Sequence, residues 1–313
     1  MVDSTPLAWV LIVLASAAIV SNAVILLSVW LSVNLHTKCH YIFANWSAAH
    51  FFLNVAVLFR ASVYLLQKRD KDELCRVVIG SETGGVSAVL LWAVILASDR
   101  YMAIFWPTYY KRTSSRQFML VSVSIWTLSV AVGLILGWNV TNSARNCLLR
   151  TSLSSNLYLS FVSSNVALCV GTVAFYAIIL VLTTRRLRIN ASISSQNMRR
   201  RNDRDLRLLV TISVVLALFL LCQMARPTVS LLLYMTSTAD SHISQVSAQL
   251  ATVLAVLETF GNFITFAVRS EDYRQAFVSV ASCRCRALAS TRLRANNQSS
   301  QRESTHGHRR RRR

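Results

Sequence analysis

Long apolar runs separated by short polar segments dominate this chain. Seven of these runs exceed about 18 residues, the length that an α-helix needs to cross the hydrocarbon core of a bilayer. With only 3 prolines and 8 glycines in 313 residues, little would interrupt such helices. The pattern therefore predicts an all-α membrane protein, a bundle of seven transmembrane helices. The predicted spans are roughly Leu7–Leu31, Tyr41–Leu66, Arg76–Ile104, Phe118–Trp138, Leu157–Thr183, Leu206–Met235 and Ile243–Val268.

Basic residues between the spans predict the direction in which the chain crosses the membrane. The segments that follow the first, third, fifth and seventh spans hold 25 lysines and arginines, and the opposite side holds 6. Cytoplasmic loops carry the excess of positive charge. Residues 1–6 should therefore lie outside the cell and the carboxyl tail in the cytosol. The sequon Asn139-Val140-Thr141 falls in a segment that should be outside, which makes Asn139 a candidate for glycosylation.

Composition argues against several other classes of protein. A net charge of +20 would suit a nucleic-acid partner, but the basic residues lie between and after the apolar runs. Membrane lipid, and no nucleic acid, is the expected partner of that charge. The seven cysteines lack the spacing of metal ligands, and no cluster typical of a catalytic site is visible. We therefore expect no cofactor and no enzymatic activity. A transporter would show internal repeats or helices broken by glycine and proline, which this sequence lacks.

The stretch from Cys75 to Tyr101 carries the strongest positional signal. Cys75 opens the third span, and Asp99-Arg100-Tyr101 begins 24 residues later. At about 1.5 Å per helical residue this separation is about 36 Å, against roughly 30 Å for the hydrocarbon core. One helix would then carry a cysteine at the oxidising outer face and an acid–base pair at the cytosolic face.

Seven spans, an outside amino terminus and Asp99-Arg100-Tyr101 at the inner end of the third span together resemble the rhodopsin-like G-protein-coupled receptors. The resemblance covers about Leu7 to Cys285. Further motifs follow in the order of the family: Ser21-Asn22-Ala23-Val24, Asn45-Trp46-Ser47-Ala48-Ala49-His50, Trp126, Tyr176, Phe219-x-x-Cys222, Asn262-Phe263-Ile264-Thr265-Phe266 and the stretch from Arg269. Residues 269–283 resemble the family's amphipathic surface helix, with Tyr273, Ala276 and Phe277 expected to face lipid. Residues 284–313 read as a disordered basic tail.

The resemblance implies a role for each matching residue. Cys75 should form a disulfide bond with Cys147 in the second outer segment. Arg100 should be the activation switch, paired at rest with Asp99 and with Asp205 at the start of the sixth span. Outward movement of that span would open a cleft for a heterotrimeric G protein. For Asp205 the alternative is a solvated carboxylate at a helix amino terminus. The other implied positions are Tyr101, Tyr176 and Asn262 in the switch, and palmitoylation at Cys283 and Cys285, whose alternative is two unmodified thiols.

Three departures from the family pattern fall in the membrane core. His50 stands in place of the aspartate that binds sodium, so that sodium site should be absent. Gln223 and Ala225 replace the tryptophan and proline of the sixth span, and Phe263 and Phe266 replace the proline and tyrosine of the seventh. Loss of these two prolines should leave both helices straighter.

Glu258 offers a substitute for the missing aspartate. It lies four residues before Asn262, on the same helical face. An isolated intramembrane glutamate is costly. Our hypothesis is that His50 and Glu258 form a buried pair within a polar network that includes Asn22 and Asn262. The alternative is a protonated Glu258.

Charged residues in the outer halves of the spans predict the ligand site. Glu82 lies about two helical turns inward from Cys75, and Arg60 and Arg226 should point toward the same cavity, beside Gln223. The alternative is that Glu82 pairs with an arginine merely to satisfy burial. One acid and two bases favour a small zwitterionic or acidic ligand or a short peptide.

The sequence thus predicts a plasma-membrane receptor of orphan, chemosensory or peptide type. It would bind an extracellular ligand in the outer half of the bundle and activate heterotrimeric G proteins through Arg100. The alternatives are a divergent receptor that does not signal or signals without ligand, and a transporter.

Overall fold

The structure, a computed structural model, describes residues 5–32, 35–66, 72–140, 149–191, 222–225, 227–232, 234–235, 242–269 and 271–282. The regular elements of these residues are helices. They are α1 (Thr5–Leu31), α2 (Lys38–Leu65), α3 (Asp72–Phe105), α4 (Pro107–Arg112), α5 (Ser115–Trp138), α6 (Leu149–Ser152), α7 (Ser155–Ala191), α8 (His242–Arg269) and α9 (Glu271–Ala281). Residues 222–225, 227–232 and 234–235, within the sixth predicted span, are also helical.

Five of the described helices are long and apolar enough to cross a membrane: α1, α2, α3, α5 and α7. The apolar part of α8 is shorter, from Gln249 to Phe260. The exposed side chains of the long helices are apolar as well. In α1, for example, Val13 and Val20 are more than 60% exposed, whereas Ala15 and Ala18 are fully buried. Helices whose outer face is apolar are stable in lipid, where every backbone polar group is bonded within the helix.

Exposed tryptophans mark both ends of the apolar zone. Trp9 and Trp30 lie near opposite ends of α1 and are both mostly exposed. Their positions differ by 21 residues, which is about 32 Å of helix, close to the thickness of the hydrocarbon core. Trp138 at the end of α5 is also strongly exposed. Indole rings at two such levels are typical of the aromatic belts of membrane proteins.

Glycines bring α3 and α5 into backbone contact. A Cβ atom added at Gly133 would lie 2.5 Å from the Gly80 carbonyl oxygen, and one at Gly137 would lie 2.8 Å from that of Arg76. No side chain fits at such distances. Small residues spaced four apart permit this close approach in membranes, where dispersion contacts between helices replace the hydrophobic drive. We call Gly80, Gly84, Gly133 and Gly137 the glycine seam.

Around this seam, α3 occupies the centre of the bundle. It packs against α2, α5 and α7, and α1 packs against α2, α8 and α9. The short helix α4 begins with Pro107 at its first turn, where the missing backbone N–H costs no hydrogen bond. A capping box formed by Ser114 and Gln117 then starts α5.

The prediction that Tyr273 and Ala276 of α9 face lipid is wrong. Tyr273 and Ala276 are buried, not exposed to lipid. The Tyr273 ring lies 5.4 Å from that of His40 in α2, and the Phe277 ring lies 4.9 Å from that of Phe263 in α8. The apolar face of this helix is covered by residues of α2 and α8, because packing against protein satisfies an amphipathic helix as well as lipid does.

Candidate functional site

A cavity lies between α2, α3, α7 and the helical residues 223–225 and 227–230. It holds about 660 Å³ of space, including the part open to solvent. Its polar lining includes Arg60, Glu82, Thr83, Asn165 and Gln223, and its apolar lining includes Ile79, Val86, Leu90, Phe161, Val162 and Pro227. Cavities that join a few polar groups to an apolar wall are typical of small-molecule sites.

Two charges face each other at this cavity. Arg60 Nε lies 3.4 Å from Glu82 Oε2, and Arg60 Nη2 donates a hydrogen bond of 3.4 Å to Thr252 Oγ1 of α8. Glu82 is 6% exposed. The arginine therefore satisfies the buried carboxylate, and a cationic ligand would have to displace it. Arg226, the other predicted base, lies outside the described residues.

Beside the cavity, Glu258 of α8 contacts one residue of α2 and one of the helical residues 222–225. Its Oε1 lies 3.6 Å from His50 Nε2 of α2, and its Oε2 accepts a hydrogen bond of 3.1 Å from Gln223 Nε2. The first distance is within ion-pair reach but too long for a hydrogen bond. All three residues are buried. The structure thus brings His50 and Glu258 together and adds Gln223 as a second partner.

Gln223 therefore belongs to both the cavity and the core. The sequence indicated only its place in the ligand site, although the cost of a buried glutamate was a signal that further partners were needed. Asn22 is also buried, but its amide nitrogen donates to the Ala18 carbonyl of its own helix at 2.9 Å. Within the described residues no hydrogen bond links Asn22 to His50 or Glu258. The side chain of Asn262 is not described.

At the carboxyl end of α3, Asp99 and Arg100 form a buried pair. Arg100 Nε donates to Asp99 Oδ2 at 3.0 Å, and Nη2 donates to the same oxygen. Burial, together with the negative charge of Asp99, raises the pKa of the Tyr110 phenol in α4 well above its usual value. The Tyr101 ring packs 5.5 Å from that of Phe175. No motif or periodicity in the sequence indicated a role for Tyr110.

The remaining predicted positions divide between described and undescribed residues. Cys75 is buried and disulfide-bonded. Asn139 is exposed at the end of α5, where its amide nitrogen donates to the Ile135 carbonyl at 2.8 Å. Tyr176 is buried. Outside the described residues lie Cys147, Asp205, Cys283 and Cys285.

Comparison with known proteins places these features in a family. Residues 21–263 match the profile described as 7 transmembrane receptor (rhodopsin family). Similar proteins include lysophosphatidic acid receptor 1-B of Xenopus laevis, 26% identical over 84% of this chain and 72% of the relative. The human lysophosphatidic acid receptor 1 is 28% identical over 64% of this chain and 56% of the relative. Sphingosine 1-phosphate receptor 1 of Danio rerio is 23% identical over 88% and 77%.

The matched region thus spans between 56% and 77% of these relatives' own length. The family profile, in contrast, covers well over half of this chain and includes the spans that carry Arg100, His50 and Glu258. The chain therefore belongs to the rhodopsin family of seven-transmembrane receptors, and it is a multi-pass membrane receptor, not an enzyme.

Proposed function

We propose that this receptor binds an extracellular ligand in the cavity beside Glu82 and activates heterotrimeric G proteins through Arg100. A single helix supports this proposal. Glu82 lines the cavity and Asp99 holds Arg100, and both lie on α3, 17 residues and about 26 Å apart. A ligand that changes the contacts at one end of a rigid helix can bias the arrangement at the other, provided that it binds the two states unequally.

The cavity favours a ligand with an acidic or zwitterionic head and an apolar remainder. Arg60 supplies a guanidinium that can bind an anion in place of Glu82, and the wall of Val86, Leu90 and Phe161 can cover an apolar chain. Relatives are named for lysophosphatidic acid and sphingosine 1-phosphate, and each of these lipids joins a phosphate head to an alkyl chain.

We further propose a plasma-membrane location with the amino terminus outside. The excess of basic residues on the opposite side supports this direction. So does the disulfide-bonded state of Cys75 at the outer end of α3, because such bonds persist in oxidising compartments. In this orientation Asn139 is available for glycosylation, and Cys283 and Cys285 face the cytosol for palmitoylation.

The first test is nucleotide exchange on purified Gα subunits of each main class, with membranes that contain the receptor. Exchange should exceed that of membranes without receptor and fall to that background in Arg100→Ala. Arg116→Ala is the matched control, because Arg116 is an exposed arginine in the first turn of α5. Equal exchange in Arg100→Ala and wild type would overturn coupling through Arg100. No exchange in any variant at confirmed surface expression, with or without an acidic lipid panel, would favour a receptor that does not signal.

The ligand class is tested in the same assay with lysophosphatidic acid, sphingosine 1-phosphate and their uncharged alcohol analogues. If an acidic head binds Arg60, Arg60→Gln should weaken the potency of the active lipid by about tenfold or more, since bonds to charged groups contribute about 1.5–3 kcal/mol. Glu82→Gln should preserve or improve potency, because it frees the guanidinium. A ligand that needs Glu82 and tolerates Arg60→Gln would show that the head is cationic.

A further inference from the structure

One buried asparagine in the wall of the cavity has an unused side-chain amide. Asn165 of α7 is only 7% exposed and lines the cavity. Phe161 and Cys169, four residues before and after it, line the cavity as well, so this face of α7 is turned toward the cavity. Within the part of the chain that the structure describes, the amide of Asn165 makes no hydrogen bond. Its two donors and its acceptor oxygen are therefore available to a ligand.

The other buried polar side chains of the cavity wall have partners. Glu82 pairs with Arg60 at 3.4 Å, and Thr83 donates its hydroxyl to a carbonyl oxygen of its own helix at 2.8 Å. The amide nitrogen of Gln223 donates to Glu258 at 3.1 Å. The unused amide on α7 is thus a local exception and not a general property of this wall.

The asparagine also does without the partner that its own helix offers. A helical asparagine can donate to the carbonyl oxygen four residues earlier, and the buried side chains of Asn22 and Asn54 do so at 2.9 Å and 2.7 Å. The described contacts include no such bond from Asn165 to the Phe161 carbonyl. A buried polar group without a partner costs stability, and such a cost is common where a residue is kept for function.

We infer that Asn165 is a specificity-determining residue, which binds a hydroxyl or another neutral hydrogen-bonding group on the apolar part of the ligand. Arg60 and Asn165 lie on α2 and α7, with α3 packed against both helices, so this group would be separate from an acidic head at Arg60. An unsubstituted alkyl chain would leave the amide without a partner, whereas a hydroxyl can donate to its oxygen and accept from its nitrogen. The inference rests on the proposed binding of an acidic ligand at Arg60.

Binding to the purified receptor in lipid nanodiscs, without G protein, tests this role. The probes are lysophosphatidic acid with an unsubstituted hexadecanoyl chain and the series of analogues that carry a single hydroxyl along that chain. The increase in melting temperature with probe concentration gives the Kd of each. At least one hydroxylated probe should bind the wild type about tenfold or more tightly than the unsubstituted one, because a site with a buried polar group rejects the analogue that cannot pair with it.

That preference should vanish in Asn165→Leu, which should bind the unsubstituted probe at least as tightly as the wild type does. Asn156→Leu is the matched control, because Asn156 is exposed in the first turn of the same helix, and it should keep the preference. Equal binding of all probes to the wild type would overturn the inference, as would a preference that survives in Asn165→Leu. Failure of the proposed ligand site looks different and removes the inference with it: no probe would bind the wild type, or Arg60→Gln would leave every Kd unchanged.

The melting temperature without ligand separates a binding role from a structural one. If the Asn165 amide is kept for a ligand, Asn165→Leu should leave this temperature unchanged or raise it, because leucine has a similar volume and no polar group to bury. Asn54→Leu removes an existing hydrogen bond and should lower it. A decrease in Asn165→Leu as large as that in Asn54→Leu would show that the amide stabilises the fold and would overturn the inference.

Discussion

Among single residues, Glu258 has the most demanding surroundings. A buried carboxylate in a membrane bundle requires partners, and it has one on each side: His50 at 3.6 Å and Gln223 at 3.1 Å. The imidazole takes the position where the family has a sodium-binding aspartate. The buried acid of this core therefore lies on α8 and faces the imidazole of His50 on α2.

Removal of both members of this pair should destabilise the receptor by less than the two single removals added together. His50→Ala leaves Glu258 without its basic partner, and breaking a buried pair costs about 3–5 kcal/mol. The double variant His50→Ala/Glu258→Gln should lose less than the sum of the two single losses. Thermal unfolding of the detergent-solubilised wild type, His50→Ala, Glu258→Gln and the double variant measures these losses. Strictly additive losses would show that the two side chains do not interact.

Among elements, the contact of α3 with α5 sets the tightest steric limit. The glycine seam leaves no space for a methyl group between the two backbones. Its sequence signal was present, since each helix carries two glycines spaced four apart, but such a pattern alone does not say which helices it joins. The pairing follows only from the packed bundle.

Gly133→Ala should therefore destabilise the fold by about 1–3 kcal/mol, the usual cost of overpacking. Gly171 in α7 supplies a matched control, because a Cβ atom added there meets no other atom within 4 Å. Gly171→Ala should be neutral or stabilise by up to about 1 kcal/mol through helix propensity. Melting temperatures of the two variants measure the difference. Equal effects of the two substitutions would contradict backbone contact at Gly133.

The sequence was informative where a signal is local. Apolar runs and the Asp99-Arg100-Tyr101 motif predicted the fold class and the family, and both are confirmed. The partners of Glu258 were inferred in part because burial of a charge demands them. The hydrogen bond from Lys38 at the start of α2 to the Tyr110 carbonyl oxygen in α4 was missed, because positions 72 residues apart share no periodicity. Tyr273 was assigned to lipid wrongly, since an amphipathic pattern gives the apolar face and not what covers it.

For the whole molecule, the direction of insertion decides which surfaces meet ligand and G protein. Asn139 follows α5 on the proposed outer side, whereas the sequons at Asn190 and Asn297 fall on the proposed inner side. Only the first should meet the glycosylation machinery. Treatment with a glycosidase should increase the electrophoretic mobility of wild type and of Asn190→Gln, but not that of Asn139→Gln. A glycan on Asn190 would reverse the proposed orientation.

The glycine seam should also keep the distance between α3 and α5 constant. Two helices that touch backbone to backbone cannot slide or separate without opening a gap along their whole crossing, so α3 and α5 should keep one spacing in every functional state. A pair of spin labels on their exposed positions would report a distance that ligand leaves unchanged. A change in the distance from a label on α5 to a label on another helix would then report movement of that other helix relative to the fixed α3–α5 pair.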